Sequence, residues 1–177
     1  MMLISLEFDY NDFFAVPNID ILIDDLYLYQ GHVQCQLDFE IDLAQGPHQL
    51  IIRHHGKKLQ WTTQDQDHHV VVKRVCFDQI DLDQVDYCKL THRAKFYPEY
   101  ESSYQDTCQK QGIELPEFIC PNHYLGHNGT WRLDFDYPAL LWIITQQNPS
   151  GMHLEDTIFS TSGHVLQEVK EFFGLNV

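Results

Sequence analysis

By type and spacing, three kinds of side chain in this sequence have chemical potential: imidazoles, carboxylates and clustered aromatic rings. Of the eleven histidines, His54, His55, His68 and His69 form the densest group. Neutral imidazoles are common transition-metal ligands, and a hairpin with its neighbouring strand would bring the two pairs near each other. Adjacent residues on a strand point to opposite faces, so neither pair chelates one ion while the backbone stays regular. Histidines exposed at strand ends are the simpler reading. The aspartates make a case for calcium. Asp65 and Asp67 lie on one turn, and Asp81, Asp83 and Asp86 lie at the next strand end, Asp81 and Asp83 on one face. Calcium takes about six to eight oxygens from flexible carboxylates and carbonyls, which loops at one end of a sheet supply. No glycine or terminal glutamate falls where an EF-hand needs one, and aspartate is frequent in turns for its own reasons, so a solvated acidic face competes with the calcium site. The rings are Trp61, expected on a strand, and Tyr97, Tyr100 and Tyr104, expected on a loop where they could stack on a sugar or a protein partner.

Activated nucleophiles are missing from the pattern. The chain has no Gly-x-Ser-x-Gly, no phosphate-cradling glycine loop and no His-Glu-x-x-His. Metal-dependent hydrolysis therefore ranks behind non-catalytic binding.

Strands must position these residues. Leu6, Phe8 and Tyr10 alternate with Glu7 and Asp9, so residues 3–10 read as a strand with one wet face. Ile19–Ile23 reads as a short strand before a turn at Asp24-Asp25. From Val33 to Leu43 the alternation is clearest, with Val33, Cys35, Leu37, Phe39 and Ile41 on one face. His48–His55 is expected to pair with Leu59–Thr63 across the turn Gly56-Lys57-Lys58, and Val70–Leu82 to follow as the third strand of a meander. Lys73 and Arg74 break its alternation, which predicts a β-bulge near Arg74. Residues 88–128 hold four prolines and glycines before Gly126 and many aromatics, and read as a long loop. Trp131, Leu133, Phe135 and Tyr137 alternate against Arg132, Asp134 and Asp136, giving another strand, and Ala139–Ile144 is a short buried helix or strand. Ser162 as N-cap, an apolar stripe from Val165 to Phe173 and Gly174 as a stop predict a C-terminal α-helix over 162–173. One-sided strands belong to antiparallel sheets. The expected fold is thus mainly β: a single-domain antiparallel β-sandwich over 1–177, jelly-roll-like, closed by that helix.

Composition bounds the partners. The chain has 177 residues and a formal charge of −15, from 26 carboxylates against 11 Lys and Arg. Nucleic-acid binding draws its affinity largely from cations that neutralise phosphates, so no nucleic-acid partner is expected, and an anionic membrane surface is disfavoured for the same reason. No apolar run approaches the roughly 18 residues of a membrane span. Five cysteines, an odd number without Cys-x-x-Cys, together with no signal-peptide pattern at the start, point to synthesis in a reducing cytoplasm.

Two stretches carry a resemblance. Gly46-Pro47-His48-Gln49-Leu50-Ile51-Ile52-Arg53-His54-His55-Gly56-Lys57 resembles a hairpin of small β-sandwich proteins that include calcium-dependent carbohydrate-binding modules. Together with Phe96-Tyr97-Pro98 and the segment from Gly126 to Trp142, the chain is similar to small proteins encoded by large tailed phages of marine bacteria. The resemblance implies a non-catalytic structural or accessory protein, made in the host cytoplasm and carried in or on the virion through contacts with other proteins or further copies of itself. The alternative it implies is a glycan-binding module for host-surface carbohydrate, with or without calcium, and no other cofactor is expected.

Overall fold

The computed structural model describes residues 1–62, 66–85, 93–120 and 122–147. The expected C-terminal helix over 162–173, residues 88–92 of the expected loop, Asp65 and Asp86 lie outside them. The described chain is mainly β, with two antiparallel sheets and two α-helices.

The first sheet runs β4 (Gln36–Ile41), β1 (Met2–Tyr10), β6 (Val70–Phe77), β7 (Ile80–Asp81), with the two-residue β9 (Tyr124–Leu125) also paired to β6. The second runs β3 (Leu26–His32), β2 (Asn18–Ile23), β5 (Gly46–His55), β10 (Gly129–Tyr137), β8 (Lys95–Pro98). Alternation sets which face each strand buries. Met2, Ile4, Leu6 and Phe8 point inward from β1, and Trp131, Leu133 and Phe135 from β10. With Val70, Val72, Val75 and Phe77 of β6 and Leu50 and Ile52 of β5 they form a single apolar cluster fed by both sheets. Each such side chain contributes about 1.5–3 kcal/mol of burial. Trp131 satisfies its only polar atom by donating from Nε1 to the Asn122 carbonyl at 2.9 Å, so its burial leaves nothing unpaired.

The bulge is where the sequence puts it. Glu7 opposes Arg74 and Phe8 opposes Val72, leaving Lys73 as the extra residue of β6. Val72 and Val75 can then both face the core, at 1% exposure each, while Arg74 swings out to Glu7 Oε1 (2.8 Å) and Asp81 Oδ2 (2.9 Å).

Several expectations need correction. His48–His55 does not pair with Leu59–Thr63: both edges of β5 are taken, by β2 and β10, and Leu59–Trp61 is a short 3-10 turn. The meander fails with it, because β5 and β6 belong to different sheets. Trp61 therefore sits on that turn and not on a strand. The region 88–128 is not one loop; its described part holds β8, a helix α1 (Ser102–Lys110) and β9. Cys35 is exposed and precedes β4, so the fully regular part of the Val33–Leu43 alternation begins at Gln36. β3 was unexpected: Leu26 and Tyr27 are exposed on it, so it lacks the one-sided signature. Ala139–Gln147 resolves as a helix, α2.

Candidate functional site

The pairing of β5 with β10 brings Gly129 opposite His54, so the turns that leave these two strands lie side by side at one end of the second sheet. Gly56 leaves β5 at φ +83°, a left-handed conformation that favours glycine, and hands the chain to Lys57. Lys57 and Asn128 lock the turns together. The Lys57 amide donates to Asn128 Oδ1 at 2.8 Å, and Asn128 Nδ2 donates to the Lys57 carbonyl at 3.0 Å.

The Lys57 side chain turns inward and is only 8% exposed. Its ammonium donates to Asp67 Oδ1 and to the Gly126 carbonyl, each at 2.5 Å. Asp67 also accepts from Thr62 Oγ1 at 2.6 Å and from the Tyr124 hydroxyl. Burial alone would raise the Asp67 carboxyl; the donors from Lys57, Thr62 and Tyr124 outweigh it and hold the group below its ordinary range. The same contacts act oppositely on Tyr124, whose phenol is pushed up by burial and by the carboxylate it donates to. These contacts thus fix Asp67 as the carboxylate and Tyr124 as the neutral phenol. Gly126 is required here, because a Cβ on it would lie 2.4 Å from the Tyr124 ring.

Around the network lies a cleft in two neighbouring parts, of about 350 and 120 Å³, which share Lys57, Thr62, Tyr104 and His127 as lining. Tyr124, Phe96 and Ile119 line the larger part; Glu99, Glu101 and Asn128 line the smaller. Helix α1 brings Tyr104 to the wall, where it stacks on Tyr100 at 5.9 Å, and both rings meet His127, at 5.6 and 5.2 Å. Burial, and then the charge of Lys57, push the His127 imidazole below its ordinary value, so it is the neutral form that lines the cleft.

Behind the cleft, His54 and His68 stack with centroids 5.5 Å apart, each 1% exposed, with Trp61 4.7 Å from His68. His54 Nδ1 donates to the His127 carbonyl at 2.9 Å, and among the described residues its Nε2 has no hydrogen-bond partner. Burial drives His54 down to about 4, reinforced by His68, Lys57 and His55 and opposed by the His127 carbonyl.

The sequence candidates separate. Tyr104 and Asp67 come together at the cleft, while Tyr100 packs on Tyr104 and His127 but lines a separate groove with Pro98, Gln105 and Gln109. Trp61 packs behind it, stacked on Phe14 at 6.4 Å. Tyr97 lies elsewhere on β8, with the Arg132 guanidinium 4.7 Å over its ring and Phe118 beside it. Asp81 is bound to Arg74 and to the Asp83 amide, at the far end of β6 from Asp67, about 20 Å along a strand of that length. Among the described residues no group of three or more His, Cys, Asp or Glu has the geometry to hold a metal ion, and none of their helices is long and apolar enough to cross a membrane. Lys57, Thr62, Tyr124, His127 and Asn128 are the site residues that sequence reasoning missed. Their signal was the pair of turns at Gly56 and Gly126, which read as connections only.

No family model, curated protein or solved structure matches this chain. The likeness to carbohydrate-binding modules and phage proteins rests on the quoted residues alone, and the segment that carries it is not a hairpin.

Proposed function

We propose that the chain is a jelly-roll-like β-sandwich acting as a non-catalytic glycan-binding module, with the cleft beside α1 as its site. The single observation that carries this reading is the aromatic wall of Tyr104 and His127, with Tyr100 packed on both rings, over a cleft whose interior charges cancel each other. Sugar rings present C–H faces that pack on aromatics and hydroxyls that need neutral and carboxylate partners. Both are here: Tyr104 is 39% exposed, and Thr62, Asn128, Glu99 and Glu101 surround it. Lys57 Nζ spends its donors on Asp67 and the Gly126 carbonyl, so it is not presented to a ligand as a nucleophile or base. Asp67 already takes three donors, so binding is expected to survive a calcium chelator. A glycan array probed with the full chain and with Tyr104→Ala tests the reading. Retention of a glycan by the parent and its loss in the variant support it; no retention by the parent, or equal retention by both, refutes it.

A second reading, a structural protein docking into a virion or another assembly, is favoured by strand β3. This edge strand carries no charged residue or proline and exposes Leu26 and Tyr27, at 58% and 46%. The other long edges are guarded, β4 by Asp38 and Glu40 and β8 by Lys95 and Pro98. Open edges without such guards pair with other chains. Sedimentation over rising concentration tests self-association, and a monomer throughout removes that form of the reading.

A further inference from the structure

The charged residues lining the cleft are Lys57, Asp67, Glu99 and Glu101. The first two neutralise each other inside the protein: the ammonium is 8% exposed and gives donors to Asp67 and to the Gly126 carbonyl. His127 faces the cleft as a neutral ring. Glu99 and Glu101 are left, both exposed, and among the described residues neither carboxylate has an ion-pair partner.

Their position is a built feature. Glu99 is held by its amide, which donates to the Asn128 carbonyl at 2.7 Å and so ties the rim to the turn that carries His127. Glu101 occupies the N-cap of α1, where Ser, Thr, Asp or Asn would normally accept from the first helical amides. It makes no side-chain capping bond; its backbone carbonyl accepts from Tyr104 and Gln105 instead. A carboxylate is thus placed at the mouth of the cleft without being consumed by the helix it begins.

On the glycan-binding reading above, we infer that the cleft takes non-acidic sugars, neutral hexoses and amino sugars, and rejects uronic and sialic acids, with Glu99 and Glu101 as the residues that set this preference. A carboxylate accepts charge-assisted bonds from sugar hydroxyls or from an ammonium. Against a ligand carboxylate the same groups repel, and among the described residues no cation in the cleft is free to compensate. At about 6 Å and an effective dielectric of about 40, one such repulsion amounts to roughly a tenfold loss of affinity. It is screened by salt, since the rim is wet.

The experiment uses the full chain and a matched pair of ligands: the tightest-binding neutral glycan from the array, and the same glycan with one C6 hydroxymethyl oxidised to the carboxylate. Calorimetry on the parent is expected to give at least a tenfold preference for the neutral member, narrowing as NaCl is raised. The double variant Glu99→Gln/Glu101→Gln, whose fold is checked by its melting curve, is expected to shrink that preference about tenfold or more, chiefly by gaining affinity for the acidic member. Equal binding of the two ligands by the parent, or an unchanged ratio in the double variant, overturns the inference while leaving glycan binding intact. If the array's tightest ligands are themselves acidic, the inference is also overturned. Binding of neither class at millimolar concentration removes the glycan reading itself, and the inference with it.

Discussion

Acid should loosen this fold through His54, and the size of the effect follows from its surroundings. The ring is 1% exposed, its Nδ1 proton is committed to the His127 carbonyl, and its Nε2 faces no acceptor among the described residues, so a second proton would create a buried cation beside His68 and Lys57. Its pKa accordingly falls from 6.5 to about 4. The unfolded chain therefore takes up the proton first as pH drops, and the native state does not follow until near pH 4. Stability attributable to His54 is complete above the unfolded value, lost as pH falls through the window from 6.5 to about 4, and constant below it. At about 1.4 kcal/mol per pKa unit the loss is about 3 kcal/mol. The 26 carboxylates add their own acid response, so the parent alone is not a clean test. His54→Asn keeps a donor where Nδ1 stood and removes the titration. Urea unfolding of both proteins at half-unit steps from pH 7.5 to 4 should show the parent's advantage over the variant shrinking by about 3 kcal/mol, most steeply near pH 5. A difference that stays flat across this range would refute the argument, as would a His54 ring resonance that titrates near 6.5.

Three further outcomes are expected. Asp67→Asn leaves the Lys57 ammonium buried without its counter-ion and should cost about 2–3 kcal/mol in denaturant unfolding, whereas Lys57→Met leaves Asp67 with Thr62 and Tyr124 and should cost less. Gly129→Ala should destabilise by about 2 kcal/mol, because its Cβ would meet the Tyr97 carbonyl oxygen at 2.4 Å and Pro98 Cα at 2.9 Å, both backbone; Gly46→Ala, with nothing within 4 Å, should cost less in the same assay. His48 behaves oppositely to His54: its bond to Asp24 Oδ2 at 2.8 Å, with a second to the Ala44 carbonyl, raises its pKa, so its contribution is full below 6.5 and lost as pH rises through the raised value. Asp24→Asn should move the His48 titration, followed by NMR, downward.

Which parts of this were legible in sequence follows from what each signal encodes. Alternation reports a strand with one face in the core, and it located β1, β10 and the inner stretch of β4 because their odd or even residues all enter one cluster. A break in alternation reports a bulge when two charged neighbours cannot both be buried, which is why Lys73 was readable. Neither signal says who pairs with whom. The turn at Gly56 predicted a hairpin, yet β5 closes on β10, more than seventy residues on, and on β2, 27 to 37 residues back. Helix α1 was invisible because only Cys108 of its nine residues is buried, so it has no apolar stripe to give it a period.

The site failed to show for a related reason. A lysine in a glycine turn is solvent-exposed by type, and a histidine at a strand end usually is too. Lys57 and His54 are buried only because the 126–128 turn arrives beside them carrying a carbonyl for each, from Gly126 and His127, while Asp67 supplies the charge. Burying an ammonium without those partners would be prohibitive, so its burial is a property of the pairing of β5 with β10, not of any local run of residues. Sequence reasoning goes astray at the residues where tertiary partners permit what local preference forbids. Here Lys57 lines the cleft and His54 packs behind it, so one pairing of strands both permits their burial and shapes the cleft proposed above as the binding site.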